Sequence, residues 1–220
     1  MDEPVSPLQT VQANIAKACR IARRDPADVT LIAVSKTHGA DAIRPLLAEG
    51  QRAFGENRVQ EAAAKWPALR EEFGGLELHL VGQLQSNKAE EAVRVFDCIH
   101  SLDRPSLVKA LARAFDRAGR QVPCFVQVDV GDEAQKGGCP LADLPALLAE
   151  ARAADIPLAG LMCLPPQGVE PAPFFALLDK LADDHQLPGR SMGMSGDYET
   201  AVMLGATHVR VGTALFGGRG

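Results

Sequence analysis

The sequence predicts a closed (β/α)8 TIM barrel with one extra helix at its N-terminus, in a single domain spanning residues 1–220. Three observations predict it. Eight short runs rich in Val, Ile and Leu read as strands covered on both faces. Helical segments separate successive runs, the alternation expected of a parallel α/β sheet. The 220 residues, 46% hydrophobic and 23% charged, fit one sizeable core better than two. On pattern alone a doubly wound open sheet is the alternative; eight units in one domain favour closure.

Residues 7–24 come first, with Leu8, Val11, Ile15, Ala18, Cys19 and Ala22 at helical spacing and Asp25-Pro26 as the stop. The expected strands are 29–35 (VTLIAVS), 52–56 (RAFGE), 76–82 (LELHLVG), 97–102 (DCIHSL), 122–130 (VPCFVQVDV), 158–163 (LAGLMC), 190–194 (RSMGM) and 208–212 (HVRVG). Helices are expected over 40–49, 59–72, 88–95, 105–118, 144–154, 173–184 and 198–204. Asp41 and Asp103 are candidate helix starts; Gly50, Gly119 and Gly205 are candidate stops.

A net charge of −5 gives no basic excess to attract nucleic acid or an anionic membrane. No apolar run approaches the ~18 residues of a membrane span. The acidic, polar start MDEPVSPLQT does not read as a secretory signal. Five cysteines lie scattered, with no C-x-x-C pair and no nearby His at zinc spacing. Reduced thiols in a cytoplasm are therefore expected. The five histidines are equally dispersed, so no metal site is expected. Neither a Walker A sequence nor a G-x-G-x-x-G turn after a strand is present.

Three features can carry chemistry. Lys36 follows the apolar run LIAVS and shares a face with Ile32 and Val34, at the C-terminal rim where barrel active sites sit. A partly desolvated amine there is nucleophilic toward aldehydes; a lysine snorkelling from a strand end is the plain alternative. The loop SMGMSGD, 191–197, offers glycines, the Ser195 hydroxyl and a helix start, a setting that attracts phosphate; an ordinary turn is the alternative. The third is HVRVGTALFGGR, 208–219. Its Gly212 and Thr213 expose backbone N–H groups at a strand end, and Arg210 shares a face with Gly212, about 7 Å away. A structural arginine paired inside the barrel is the alternative there. The two loops follow expected strands seven and eight, the usual phosphate position in such barrels. With Lys36 on strand one, they point to a phosphorylated aldehyde.

The chain resembles the YggS/PROSC family of proteins that bind pyridoxal 5′-phosphate (PLP). The matching motifs are AVSKT (33–37), FGENRVQEA (54–62), LVGQLQSNKA (80–89), IHSLD (99–103), QKGG (135–138), GLM (160–162), SMGMSGD and VRVGTALFG, in that order along the chain. The resemblance implies an alanine-racemase-type barrel, monomeric and without the racemases' second domain. It implies PLP held as a Schiff base on Lys36, phosphate contacts from Ser195, Gly212 and Thr213, and Arg210 facing the pyridine nitrogen. It also places Asn57 near the cofactor and gives Lys136 a part in PLP handling, beside its plain reading as a solvated loop lysine. Arg190 departs from the pattern, standing where the family carries an apolar residue.

The resemblance implies a PLP-homeostasis protein that stores or delivers the cofactor, transiently to apo PLP-dependent enzymes, and limits free aldehyde. The other class is a PLP-dependent amino-acid racemase. An arginine at the ring nitrogen disfavours its protonation and weakens the ring as an electron sink. Two-base racemisation also needs a second proton donor, and the sole tyrosine, Tyr198, reads as a helix start. A non-catalytic carrier is therefore expected.

Overall fold

Helix α1 (Pro7–Ile21) has a chemically marked start. The Ser6 hydroxyl accepts from the Gln9 amide, the Gln9 side chain accepts from the Ser6 amide, and Pro7 sits in the first turn. The helix is shorter than expected because Arg23 turns to φ 57° and Asp25 caps a separate 3-10 turn over Pro26–Asp28. Its buried face (Leu8, Val11, Ile15, Ala18, Cys19) packs on α8 (Tyr198–Met203) and α9 (Thr213–Phe216). The chain is seen as a computed structural model that describes residues 5–132 and 137–217.

Every expected strand is present: β1 (Thr30–Val34), β2 (Ala53–Glu56), β3 (Glu77–Leu80), β4 (Cys98–Leu102), β5 (Cys124–Asp129), β7 (Leu158–Cys163), β8 (Gly189–Ser191) and β9 (His208–Val211). A two-residue strand not anticipated, β6 (Cys139–Pro140), pairs outside the ring with Val128 and Asp129 of β5. The eight long strands are all parallel. They pair in chain order and close through β9 with β1 and through β4 with β5. The sequence-based barrel is thus the observed fold, and the open sheet is not.

The helices between strands are α2 (Ala40–Ala48), α3 (Val59–Glu72), α4 (Ala89–Val95), α5 (Pro105–Ala118), α6 (Leu144–Ala153) and α7 (Ala172–Asp184). Two expected caps are displaced. Asp41 lies inside the first turn of α2, capped at Gly39, and Asp103 precedes the Arg104 cap of α5 and pairs with Arg104 instead. Gly119 does end α5, in the left-handed conformation.

Strand 190–194 is the clearest boundary correction. It becomes Gly189–Ser191 because Gly193 turns the chain at φ 92°. Arg190 departs from the apolar pattern for a visible reason: its guanidinium faces outward and binds Asp179, at 2.9 Å, and Asp183 on α7.

Most of the core lies between the strands and the helices, where Trp66 is fully buried against Phe54. Burying one such side chain stabilises the fold by roughly 1.5–3 kcal/mol. Inside the ring, Cys98, Phe125 and Met162 form a small apolar cluster beside buried His79, His100, Ser191 and Arg210. Among the described residues, no helix is long and apolar enough to cross a membrane.

Candidate functional site

Lys36 leaves the rim two residues beyond β1, and both flanks of its loop are fixed. Glu56, at the end of β2 and fully buried, accepts from Ser35 Oγ at 2.6 Å and from Trp66 Nε1 at 3.0 Å. Lys65 on α3 pairs with the same carboxylate at 2.7 Å and donates to the carbonyls of Ser35 and His38 at 3.0 and 2.8 Å. Glu61 accepts from the Thr37 amide at 2.7 Å, holding Thr37 at φ 66°. The Lys36 side chain is partly buried and lines a cavity of about 420 Å³, within the usual range for a small-ligand site.

On the adjacent part of the rim, Gly212 follows β9, the strand paired with β1, and starts the short α9. The amides of Gly212 and Ala214 donate to Ser195 Oγ at 3.2 and 3.3 Å. Gly212, Ser195 and Thr213 thus line one part of the cavity, with the Ala214 amide held on Ser195 Oγ beside them. This is the loop pair after barrel strands seven and eight, and its donors suit a phosphate. Asn57, just past β2, lines the cavity wall. Gly82 permits this: a Cβ there would lie 2.2 Å from the Asn57 carbonyl oxygen.

Arg210 stands on the inner face of β9, in register with Ile32 of β1, and is 4% exposed. Its guanidinium donates to Ser191 Oγ at 2.5 Å and to the Cys163 carbonyl at 2.8 Å. Among the described residues no carboxylate pairs with it. Burial pulls its pKa down, yet arginine keeps its proton at neutral pH. A buried cation without a paired carboxylate among the described residues therefore faces the cavity, complementary to an acceptor.

Below Arg210 the polar chain continues. Ser191 Oγ is 2.8 Å from His100 Nδ1, and His100 Nε2 is 3.0 Å from His79 Nδ1. Burial holds His79 at about 3 and His208 at about 4, and drives His100 well below the ordinary imidazole value. All three rings are neutral at pH 7.

Six residues singled out from the sequence, Lys36, Asn57, Ser195, Arg210, Gly212 and Thr213, line this one cavity. The seventh, Lys136, lies outside the described residues. Tyr198 is turned away: it is buried against α1, where its hydroxyl accepts from Asn14 at 3.0 Å. Sequence reasoning missed the Glu56–Lys65–Glu61 clamp, the Ala214 amide and the His38 ring, which stacks on Phe216 at 4.6 Å. The acidic FGE run ending a strand could have flagged Glu56; a backbone amide has no side-chain signal. The histidines, dispersed in sequence, converge in the barrel.

Residues 7–220 match the family described as alanine racemase, N-terminal domain. The pyridoxal phosphate homeostasis protein of Pseudomonas aeruginosa is 43% identical over 219 residues, 96% of this chain and 94% of that one. Its counterpart in Escherichia coli K12 is 36% identical over 234 residues, 100% of this chain and 98% of that one. Among solved structures, PipY of Synechococcus elongatus PCC7942 with PLP bound superimposes with a TM-score of 0.83 at 43% identity, covering 92% of this chain and all of that one.

Proposed function

The chain belongs to the family of pyridoxal phosphate homeostasis proteins built on the alanine racemase N-terminal domain, and from that premise we propose that it holds PLP covalently on Lys36 and serves as a PLP store and donor. The observation that carries this reading is the convergence of amine, phosphate-type donors and buried cation in one cavity.

The donor set fits the group. The Gly212 and Ala214 amides, with Ser195 and Thr213, bind the phosphate; Arg210 donates toward the ring nitrogen; Asn57 borders the ring; the Lys36 amine anchors the aldehyde carbon. When bound, PLP supplies an electrophilic carbonyl and a ring that accepts electrons. Arg210 cannot give up a proton to that ring, so the ring nitrogen stays unprotonated and the electron sink stays weak.

A carrier role is favoured over racemisation by what stands around Lys36. Among the described cavity residues, His38 is the other general acid–base side chain. It leaves from the same loop as Lys36, and its ring is stacked on Phe216. No described group stands across the cavity to return a proton from the opposite face, which two-base racemisation needs. Release to apo PLP-dependent enzymes, through the open rim, follows from this reading.

Borohydride reduction of the PLP-loaded chain, followed by peptide mass spectrometry, tests the anchor. The cofactor's mass is expected on Lys36 and absent in Lys36→Ala; its appearance on another lysine overturns the assignment. Incubation with L-amino acids in deuterated water tests the class. No α-proton exchange, together with reactivation of an apo-enzyme, is expected of a carrier; rapid exchange would make it an enzyme.

A further inference from the structure

The end of the barrel remote from Lys36 holds a second polar site. His79 on β3 is the register partner of Cys98 on β4, and His100 lies two residues further along β4 on the same inner face. One donor atom from each of the three lies within 4.8 Å of the other two, and all three residues are buried. We propose that His79, Cys98 and His100 bind a thiophilic divalent metal ion of the zinc class, independently of the PLP site.

The geometry is close to a coordination sphere already. His79 Nδ1 and His100 Nε2 are 3.0 Å apart, while two nitrogens on one tetrahedral zinc, each at 2.0–2.1 Å, stand about 3.3 Å apart. The ring centres are 5.1 Å apart, and rings sharing such an ion are separated by about 5 Å. A slight opening of the pair admits the ion.

One outer nitrogen has a partner of the kind that orients a metal ligand, and the other has a carboxylate beside it. His100 Nδ1 faces Ser191 Oγ at 2.8 Å. His79 Nε2, buried and without a hydrogen bond, has a Glu77 carboxylate oxygen 3.4 Å away. With protons on these outer nitrogens, both inner nitrogens present lone pairs to one point. The Cys98 thiol then releases its proton to solvent and binds as thiolate, so the step balances without a redox partner.

An access route is also present. A cavity of about 250 Å³ opens below the site and is lined by Glu77, Cys98 and His208. His208 Nδ1 is taken by Thr207 Oγ1 at 2.8 Å, leaving Nε2. Its ring centre is 6.2 and 6.0 Å from those of His79 and His100. One thiolate and two imidazoles select zinc-like ions over Mg2+ or Ca2+.

The test is a titration of the chelator-stripped chain with Co2+ and with Zn2+ against a chromophoric chelator. One ion per chain is expected, with a thiolate-to-Co2+ charge-transfer band. Cys98→Ser should lose the band and bind at least tenfold more weakly, His79→Gln should weaken binding similarly, and Lys36→Ala should bind as the unaltered chain does. No retained ion, or an undiminished band in Cys98→Ser, overturns the proposal. Because both variants alter buried positions, alkylation of Cys98 in the unaltered chain supplies a second readout. One equivalent of Zn2+ should slow it at least tenfold, leaving Cys19 unaffected; equal rates at Cys98 overturn the proposal.

Discussion

Ser191 Oγ accepts a hydrogen bond from the Arg210 guanidinium at 2.5 Å, and both side chains are buried. The serine is thus one of two groups, with the Cys163 carbonyl, that fix the direction of a charge paired with no carboxylate among the described residues. Ser191→Ala removes that acceptor and leaves a charged donor short of a partner, at a cost of about 1–3 kcal/mol in stability. A merely structural serine would change the unfolding temperature alone. A serine that positions Arg210 at the cofactor ring should also shift the absorbance maximum of bound PLP, measured on the loaded variant. An unshifted spectrum would assign Ser191 to the fold only.

The corner formed by Ser195, Thr213 and the Gly212 and Ala214 amides yields a prediction of opposite character. Ser195→Ala removes a hydroxyl that accepts two amide bonds at 3.2 and 3.3 Å in the rim loops. Those amides remain exposed to the cavity and to water, so the fold should lose under about 1 kcal/mol. Hydrogen bonds to a charged group are worth about 1.5–3 kcal/mol, so PLP retention should fall roughly ten- to a hundredfold. Thr213→Val should act in the same direction. Equilibrium dialysis beside thermal unfolding separates the two effects; equal losses in both would remove the phosphate role.

Gly82 makes a steric prediction. A Cβ at position 82 would sit 2.2 Å from the Asn57 carbonyl oxygen and 2.7 Å from its Cα, and backbone cannot move aside as a side-chain end can. Gly82→Ala must push the loop after β2 outward, at about 1–3 kcal/mol for overpacking. Asn57 moves with it, so PLP affinity should drop together with stability. Unchanged unfolding in urea would show that the loop relaxes freely.

The barrel was legible because its strands are contiguous apolar runs, such as Leu31–Val34, and because a stop residue such as Gly119 is a local signal. The residues that line the rim cavity were legible because they sit at strand ends in recognisable motifs. The buried polar column was not. His79 and Cys98 are 19 positions apart and become neighbours only through strand register, which no local pattern encodes. Similarly, β6 is two residues long and owes its existence to pairing with β5, so it has no hydrophobic period to read.

The three core histidines set the pH dependence of folding. His79, at about 3, and His208, at about 4, lie below the ordinary value of 6.5, and His100 lies well below it, burial being the main cause in each case. An unfolded chain therefore binds protons that the folded chain refuses. The stability these neutral rings contribute is fully present above pH 6.5 and is lost as pH falls toward 4. Each histidine contributes a slope of about 1.4 kcal/mol per pH unit in that window, so the three together approach about 4 kcal/mol per unit. Glu77, whose carboxyl burial pushes up, opposes the loss. Against a total of about 5–15 kcal/mol, the chain should unfold above pH 4. Urea midpoints should be level between pH 7 and 8 and fall steeply below 6.5, and a His79→Gln, His100→Gln double variant should show a shallower fall. A midpoint that holds from pH 7 to 5 would mean the rings take up protons without leaving the folded state.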